Sequence, residues 1–135
     1  MARATKSFGT IMNAKSTTGI GDFVDTRDFR SVLLQLSAVS GTSSTIKLQA
    51  SLSDEPPDFS ATQSSANHWD YIESYDLQSS VTPVAGDTGH TYTAVTPANS
   101  CLNIMVNTEL AKWVCLNITA ITAGSVTATA FGVEQ

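Results

Sequence analysis

Charge is the scarcest commodity in this chain. Asp, Glu, Lys and Arg together make up 14 % of its 135 residues, against about 25 % in an ordinary soluble domain. Cysteine is limited to two residues with no CxxC spacing, so a zinc-binding knuckle is unsupported. No stretch approaches 18 consecutive apolar residues, the length a membrane-spanning helix requires. The opening residues, Met-Ala-Arg-Ala-Thr-Lys-Ser-Phe, lack the apolar run of a secretory signal. The expectation is synthesis in a cytoplasm, with action there or exit by a route that needs no signal. No GxSxG elbow and no glycine-rich phosphate cradle occurs, and no segment shows a helical period of 3.6.

What the chain does have is alternation. In Thr45-Ile-Lys-Leu-Gln-Ala-Ser-Leu52, Ile46, Leu48, Ala50 and Leu52 alternate with Lys47, Gln49 and Ser51. A period of two places one set on each face of a strand. Val32, Leu34, Leu36 and Ala38 keep the same parity in the preceding segment, with Leu33 out of step. The intervening Ser-Gly-Thr-Ser-Ser has turn chemistry, so residues 31–52 are expected to form an antiparallel hairpin with one wet and one dry face. Val114, Leu116, Ile118 and Ala120, and then Val126, Ala128 and Ala130, repeat the pattern around Ala123-Gly124, a second expected hairpin. Further strands are expected at residues 7–13, 69–77, 90–95 and 102–106.

Two polar excursions, 53–67 with Pro56-Pro57 and 78–100 with Pro83 and Pro97, read as long surface loops. The sum is an all-β protein, an antiparallel β-sandwich of jelly-roll or immunoglobulin-like type with about seven or eight strands and two long loops. Its expected organisation is an N-terminal arm over 1–27, carrying one short strand, and a single sandwich domain over 28–135. At 41 % hydrophobic residues the chain can build a real core.

The net charge of −5 is unevenly spread. Arg3, Lys6 and Lys15 stand in the first fifteen residues without an acid, whereas residues 16–135 hold four basic and twelve acidic side chains, a balance of −8. An acidic body argues against a nucleic-acid surface, which needs clustered Lys and Arg. Three charges on an arm could meet an acidic partner, although a solvated tail is the commoner meaning.

Candidate chemistry is thin. Cys101 and Cys115 flank a turn near 107–112, and a hairpin there would place Cys101 opposite the region of Ile118. Two buried free thiols are therefore expected rather than a disulfide. His68, beside Trp69 and Asp70, has the makings of a general base, and His90 is the only other histidine, but nothing nearby offers a nucleophile. Asp54, Glu55 and Asp58, and again Asp70, Glu73 and Asp76, have the hard oxygens calcium prefers without the DxDxDG spacing. Trp69, Tyr71, Tyr75 and Trp113 could make an aromatic sugar platform, but aromatics at alternate strand positions more often pack a core or its rim. Asn117-Ile-Thr119 is a sequon placed mid-strand, where it has no use.

The run SVLLQLSAV, a turn, TIKLQASLSD and later HWDYIESYDLQ resembles a layout of small virion proteins of tailed bacteriophages. The ending KWVCLNITAITAGSVTATAFGV continues the likeness, which covers roughly residues 28 to 133. The resemblance implies a non-enzymatic β-sandwich component of the particle, first a capsid decoration (cement) protein and otherwise a tail or head–tail connector component. A carbohydrate-binding host-attachment module is the alternative outside that class. It implies location in the virion, the major capsid protein or other virion proteins as partners, and a homo-oligomer or multi-copy lattice. Neither nucleic acid, membrane, metal nor cofactor enters. Contacts with neighbours are expected through the arm and the two loops, at Arg3, Lys6, Phe8, Lys15, Phe59, Trp69, Tyr71 and Tyr92.

Overall fold

The structure is a computed structural model that describes residues 5–39, 41–79, 82–94, 100–109 and 111–134. Among the described residues, eleven strands form two sheets in which every pairing is antiparallel. The first sheet is built from β1 (Thr5–Lys15), β11 (Val126–Glu134), β4 (Phe29–Ala38), β9 (Cys101–Asn107) and β7 (Tyr75–Asp76), side by side in that order. The second runs β2 (Gly19–Ile20), β10 (Trp113–Ala123), β5 (Thr42–Ser51), β6 (Asp70–Ile72). On it β3 (Val24–Asp25) also pairs with β10, and β8 (His90–Ala94) with β5. Among the described residues the only helical element is a 3-10 turn, Leu77–Ser79.

The expected sandwich is present, but its hairpins are not. β4 pairs with β11 and β9, while β5 pairs with β10, β6 and β8. The connection from β4 to β5 is therefore an arch that carries the chain from one sheet to the other. The same holds at Ala123–Gly124, which joins β10 to β11, and between β9 and β10. The supposed strand 69–77 is likewise split: β6 lies in the second sheet and β7 in the first, with Glu73 and Ser74 making the crossing. Alternation cannot distinguish these cases. In a hairpin both dry faces share a side, and in an arch they face each other across the sandwich, so each satisfies a period of two.

The two dry faces meet as expected. Val32, Leu34 and Leu36 from β4, Ile104 and Val106 from β9, and Val126, Ala128 and Ala130 from β11 form one side. Ile46 and Leu48 from β5, with Val114, Leu116 and Ile118 from β10, form the other, and all are at most 2 % exposed. Each such side chain stabilises the fold by roughly 1.5–3 kcal/mol through burial. Alternation fails in places: Gln49 and Cys115, expected on wet faces, are buried. Leu52, expected on the dry face, is 63 % exposed beyond β5, and Ala120 is exposed past a register shift at Ile118/Ala120.

The expected free arm is largely an edge strand. Residues 5–15 pair along β11, so the N-terminal segment belongs to the sandwich from Thr5 onward. The pairing breaks register three times, and Ala14 adopts a positive φ of 45° at the last break. Such irregularities twist an edge away from further strand pairing.

Gly124 turns the β10–β11 arch with φ 78° and lies so close to Thr42 that a Cβ would overlap its side chain. Thr42 Oγ1 also accepts from Ser125 N at 3.2 Å, fixing the turn against β5. Gly124→Ala is expected to cost about 2 kcal/mol or more, seen as a lower urea midpoint at unchanged m-value. An unaltered midpoint would contradict this packing.

Candidate functional site

Three places could carry function: the outer face of the second sheet, a groove at one end of the sandwich, and a buried serine–histidine pair. The outer face is covered by the chain itself. On β10, Trp113 and Cys115 point away from the main core yet are buried, because residues 53–69 fold back over them and bring Phe59 and Trp69 into a second cluster. The cover is pinned by hydrogen bonds. Trp113 Nε1 donates to Ser53 O at 2.8 Å, Trp69 Nε1 to Ala61 O at 3.1 Å, and Gln49 Nε2 to Phe59 O at 3.0 Å. Asn67 braces it from within, accepting from Asp58 N and donating to Asp58 O, both at 2.8 Å.

Rings and cations finish the cap. Trp69 meets Tyr71 edge-on at 5.2 Å, and Lys47 Nζ stands 4.8 Å from the Tyr71 ring. Arg27 sits 4.8 Å over Trp113 while bonding Asp25. That bond holds the Asp25 carboxyl below the ordinary carboxylate value. An open sugar platform is not what these tryptophans make, since each is at most 8 % exposed and has its indole N–H bonded internally. Phe23, 48 % exposed, is the aromatic at the rim of this cluster that sequence reading passed over.

The residues expected at an interface divide accordingly. Phe59, Trp69 and Tyr92 are buried, at 3 %, 8 % and 4 %, so they serve packing rather than an accessible surface of this chain. Their bulk pays for burial of loop 53–69 and of β8, which alternation alone could not reveal. Tyr92 also donates its hydroxyl to Ser100 O at 2.5 Å, and burial pushes its pKa up to about 12. Lys6 is exposed at the start of β1, while Phe8 is half-buried, its ring 5.2 Å from Phe29. Lys15 and Tyr71 are half-buried. Arg3 lies outside the described residues. The structure thus brings Trp69 and Tyr71 together and leaves Lys6, Phe8 and Lys15 along β1 of the other sheet.

The cysteines differ from each other. Cys115 is a buried thiol whose pKa burial raises to about 12, as expected of an inert core group. Cys101 is exposed rather than buried, because it begins β9 on the outward side of the first sheet. Both are free. Since β9 and β10 lie in opposite sheets, the hairpin register inferred for the pair does not apply.

At the end where β9 leads to β10, a groove of about 420 Å³ opens between the sheets. Ala50, Ile72 and Ala111 provide apolar lining, with Leu52 and Tyr75 beside them; Asp70, Glu73 and Glu109 add carboxylates, and His68 completes the rim. His68 and Asp70, imagined as base and orienter, do share this groove. Ser51 Oγ, which also lines the groove, donates to His68 O at 2.7 Å and is thereby committed. Among the described residues no group of three or more His, Cys, Asp or Glu converges on a metal-binding point.

The serine–histidine pair is closed to solvent. Ser74 Oγ and His90 Nε2 are 2.6 Å apart, at 2 % and 5 % exposure. It ties the crossing between β6 and β7 to β8, sixteen residues away, a link no spacing rule announces. Burial lowers the His90 pKa from 6.5, against the opposing pull of the Asp76 charge. Burial thus favours the neutral imidazole.

The chain matches no protein-family model, and no curated protein sequence matches it. The fold defines an all-β sandwich of two arch-linked sheets. Solved structures share it from end to end. The SPBc2 prophage-derived protein YomS superposes with a TM-score of 0.69 at 15 % identity, over 99 % of this chain and 96 % of that one. The PBSX exported protein XepA does so with a TM-score of 0.69 at 13 % identity, over 99 % of this chain. There the match spans 39 % of XepA's length, so the whole fold of this chain corresponds to part of that protein. At these identities the likeness is one of fold.

The lowered pKa of buried His90 gives a pH dependence of definite sign. The unfolded chain binds the proton at 6.5 and the folded chain only below that, so stability is full above this value and falls as pH drops through and below it. Denaturant midpoints taken at about pH 7.5 and about pH 5 should show that loss, and His90→Gln should flatten it. Identical slopes in the two proteins would exclude His90 as its source.

Proposed function

We propose that this chain is a non-enzymatic structural protein of a bacteriophage particle, and within that class a capsid decoration protein present in many copies on the shell. The observation that carries the reading is the end-to-end correspondence of its fold with two prophage proteins, one a chain of similar extent and the other a longer chain. It agrees with the independent resemblance of its strand layout to small virion proteins. The internal use of groups that could do chemistry points the same way. The Ser74–His90 pair is sealed, the Cys115 thiol is buried, and Ser51 is committed to a backbone carbonyl. A low surface charge suits a domain pressed against neighbours.

A tail or head–tail connector role is the nearest alternative, favoured by the correspondence of the whole fold to a portion of the longer XepA. Host attachment through sugars has less support, because Trp69 and Trp113 are capped by the chain's own loop. XepA is named as an exported protein, so the decisive distinction is between particle-bound and free chain. Particles of the encoding phage, purified through a density gradient, should retain the chain at a fixed and high copy number per particle. Its presence only in the particle-free fraction would overturn the reading.

A further inference from the structure

A groove opens at the β9–β10 end of the sandwich. Its lining includes the carboxylates of Asp70, Glu73 and Glu109 and the apolar side chains of Ala50, Ile72 and Ala111. No Lys or Arg is among its described lining residues. The nearby Lys112 is engaged with Asp54 at 2.7 Å. An apolar floor between anionic walls suits an occupant that is both small-apolar and cationic, because charge complementarity selects the partner while burial of apolar surface holds it.

The chain carries such a segment at its own start. Residues 1–6 read Met-Ala-Arg-Ala-Thr-Lys, and no acid appears before Asp22. We infer that the groove receives this N-terminal segment from a second copy of the chain. The inference rests on the multi-copy reading given above and names the contact that would join the copies.

Register supports an intermolecular contact over an internal one. Thr5 pairs with Val133, Val133 with Ser31, and Ser31 with Asn107, so these four lie on one row across the first sheet. Asn107 borders the groove. Three strand spacings separate Thr5 from it by about 14 Å. Arg3 stands two residues before Thr5, a span of at most about 7 Å, which falls short of that separation. Thr5, on the edge strand β1, and the groove thus lie at the same end of the sandwich but on opposite edges. A copy set beside another in the same orientation presents its N-terminal segment to the neighbour's groove. That contact is heterologous and repeats from copy to copy. The register breaks along β1 blunt strand-to-strand joining, leaving side-chain docking as the means of contact.

The test is sedimentation velocity on the full chain and on two double variants, Arg3→Glu/Lys6→Glu and Glu73→Lys/Glu109→Lys. Lys6, Glu73 and Glu109 are exposed, and thermal unfolding verifies that each variant folds. The wild-type chain should self-associate, with an apparent Kd at least about tenfold weaker at about 0.5 M than at about 0.05 M salt. Each variant alone should sediment as a monomer, since its segment and groove then carry the same sign. An equimolar mixture of the two should associate again, because each segment now meets a groove of opposite charge. A monomeric wild-type chain, variants that associate unchanged, or a mixture that stays monomeric would each overturn the inference. Particle analysis keeps the two readings apart. A chain monomeric in solution yet abundant on particles sinks the groove contact and spares the virion role, whereas charge-paired association without particle-bound chain does the reverse.

Discussion

The structure depends on two apolar faces being held against each other across the sandwich. β4, β9 and β11 supply one and β5 and β10 the other, and the side chains between them are almost wholly withdrawn from water. Magnitude settles what matters here. A Leu or Ile buried in that layer contributes roughly 1.5–3 kcal/mol. The two described ion pairs, Asp25–Arg27 and Asp54–Lys112, are substantially exposed and contribute little. A chain so poor in charge has few other means of fixing its shape. The arches follow from the same constraint, because a short arch lets successive strands bury against each other rather than side by side.

The second cluster is a consequence of that economy. A sheet in a sandwich has one face left over, and on the second sheet Trp113, Cys115 and Gln49 make that face too apolar or too intolerant of water to stand bare. Loop 53–69 covers it with Phe59 and Trp69 and bonds its own carbonyls to the indoles. One group remains unsatisfied among the described residues: Gln49 Oε1 is buried without a hydrogen-bond partner, a cost of order 1–3 kcal/mol unless a water reaches it. The two tryptophans that suggested a binding surface are therefore consumed by the chain, while Tyr75 lines the open end groove.

Much of the fold was legible in the residues, and what was hidden has physical causes. The period of two from Val32 to Ala50 and from Val114 to Ala130 correctly marked the strands and their dry sides. It could not say which strands pair, since parity is the same in a hairpin and an arch. Short strands such as β2, β3 and β7 have too few residues to show any period. The alternation of Trp69, Tyr71 and Tyr75 hid a crossing between sheets, because the turn at Glu73–Ser74 has neither Gly nor Pro. Of the candidate site, the acids at 70 and 73 and His68 were visible as residues. Their meeting with Glu109 and Ala111 in one groove depended on tertiary packing.

The most direct measurement of the sandwich is the set of backbone nuclear Overhauser effects between strands in the labelled protein. The account requires contacts from Leu34 to Ala130 and to Ile104, and from Leu48 to Leu116, the partners given by the ladders. It requires none between the backbones of Leu36 and Ile46, whose side chains would meet only across the dry layer. Backbone contacts between β4 and β5 in hairpin register, with those to β11 and β10 missing, would contradict it.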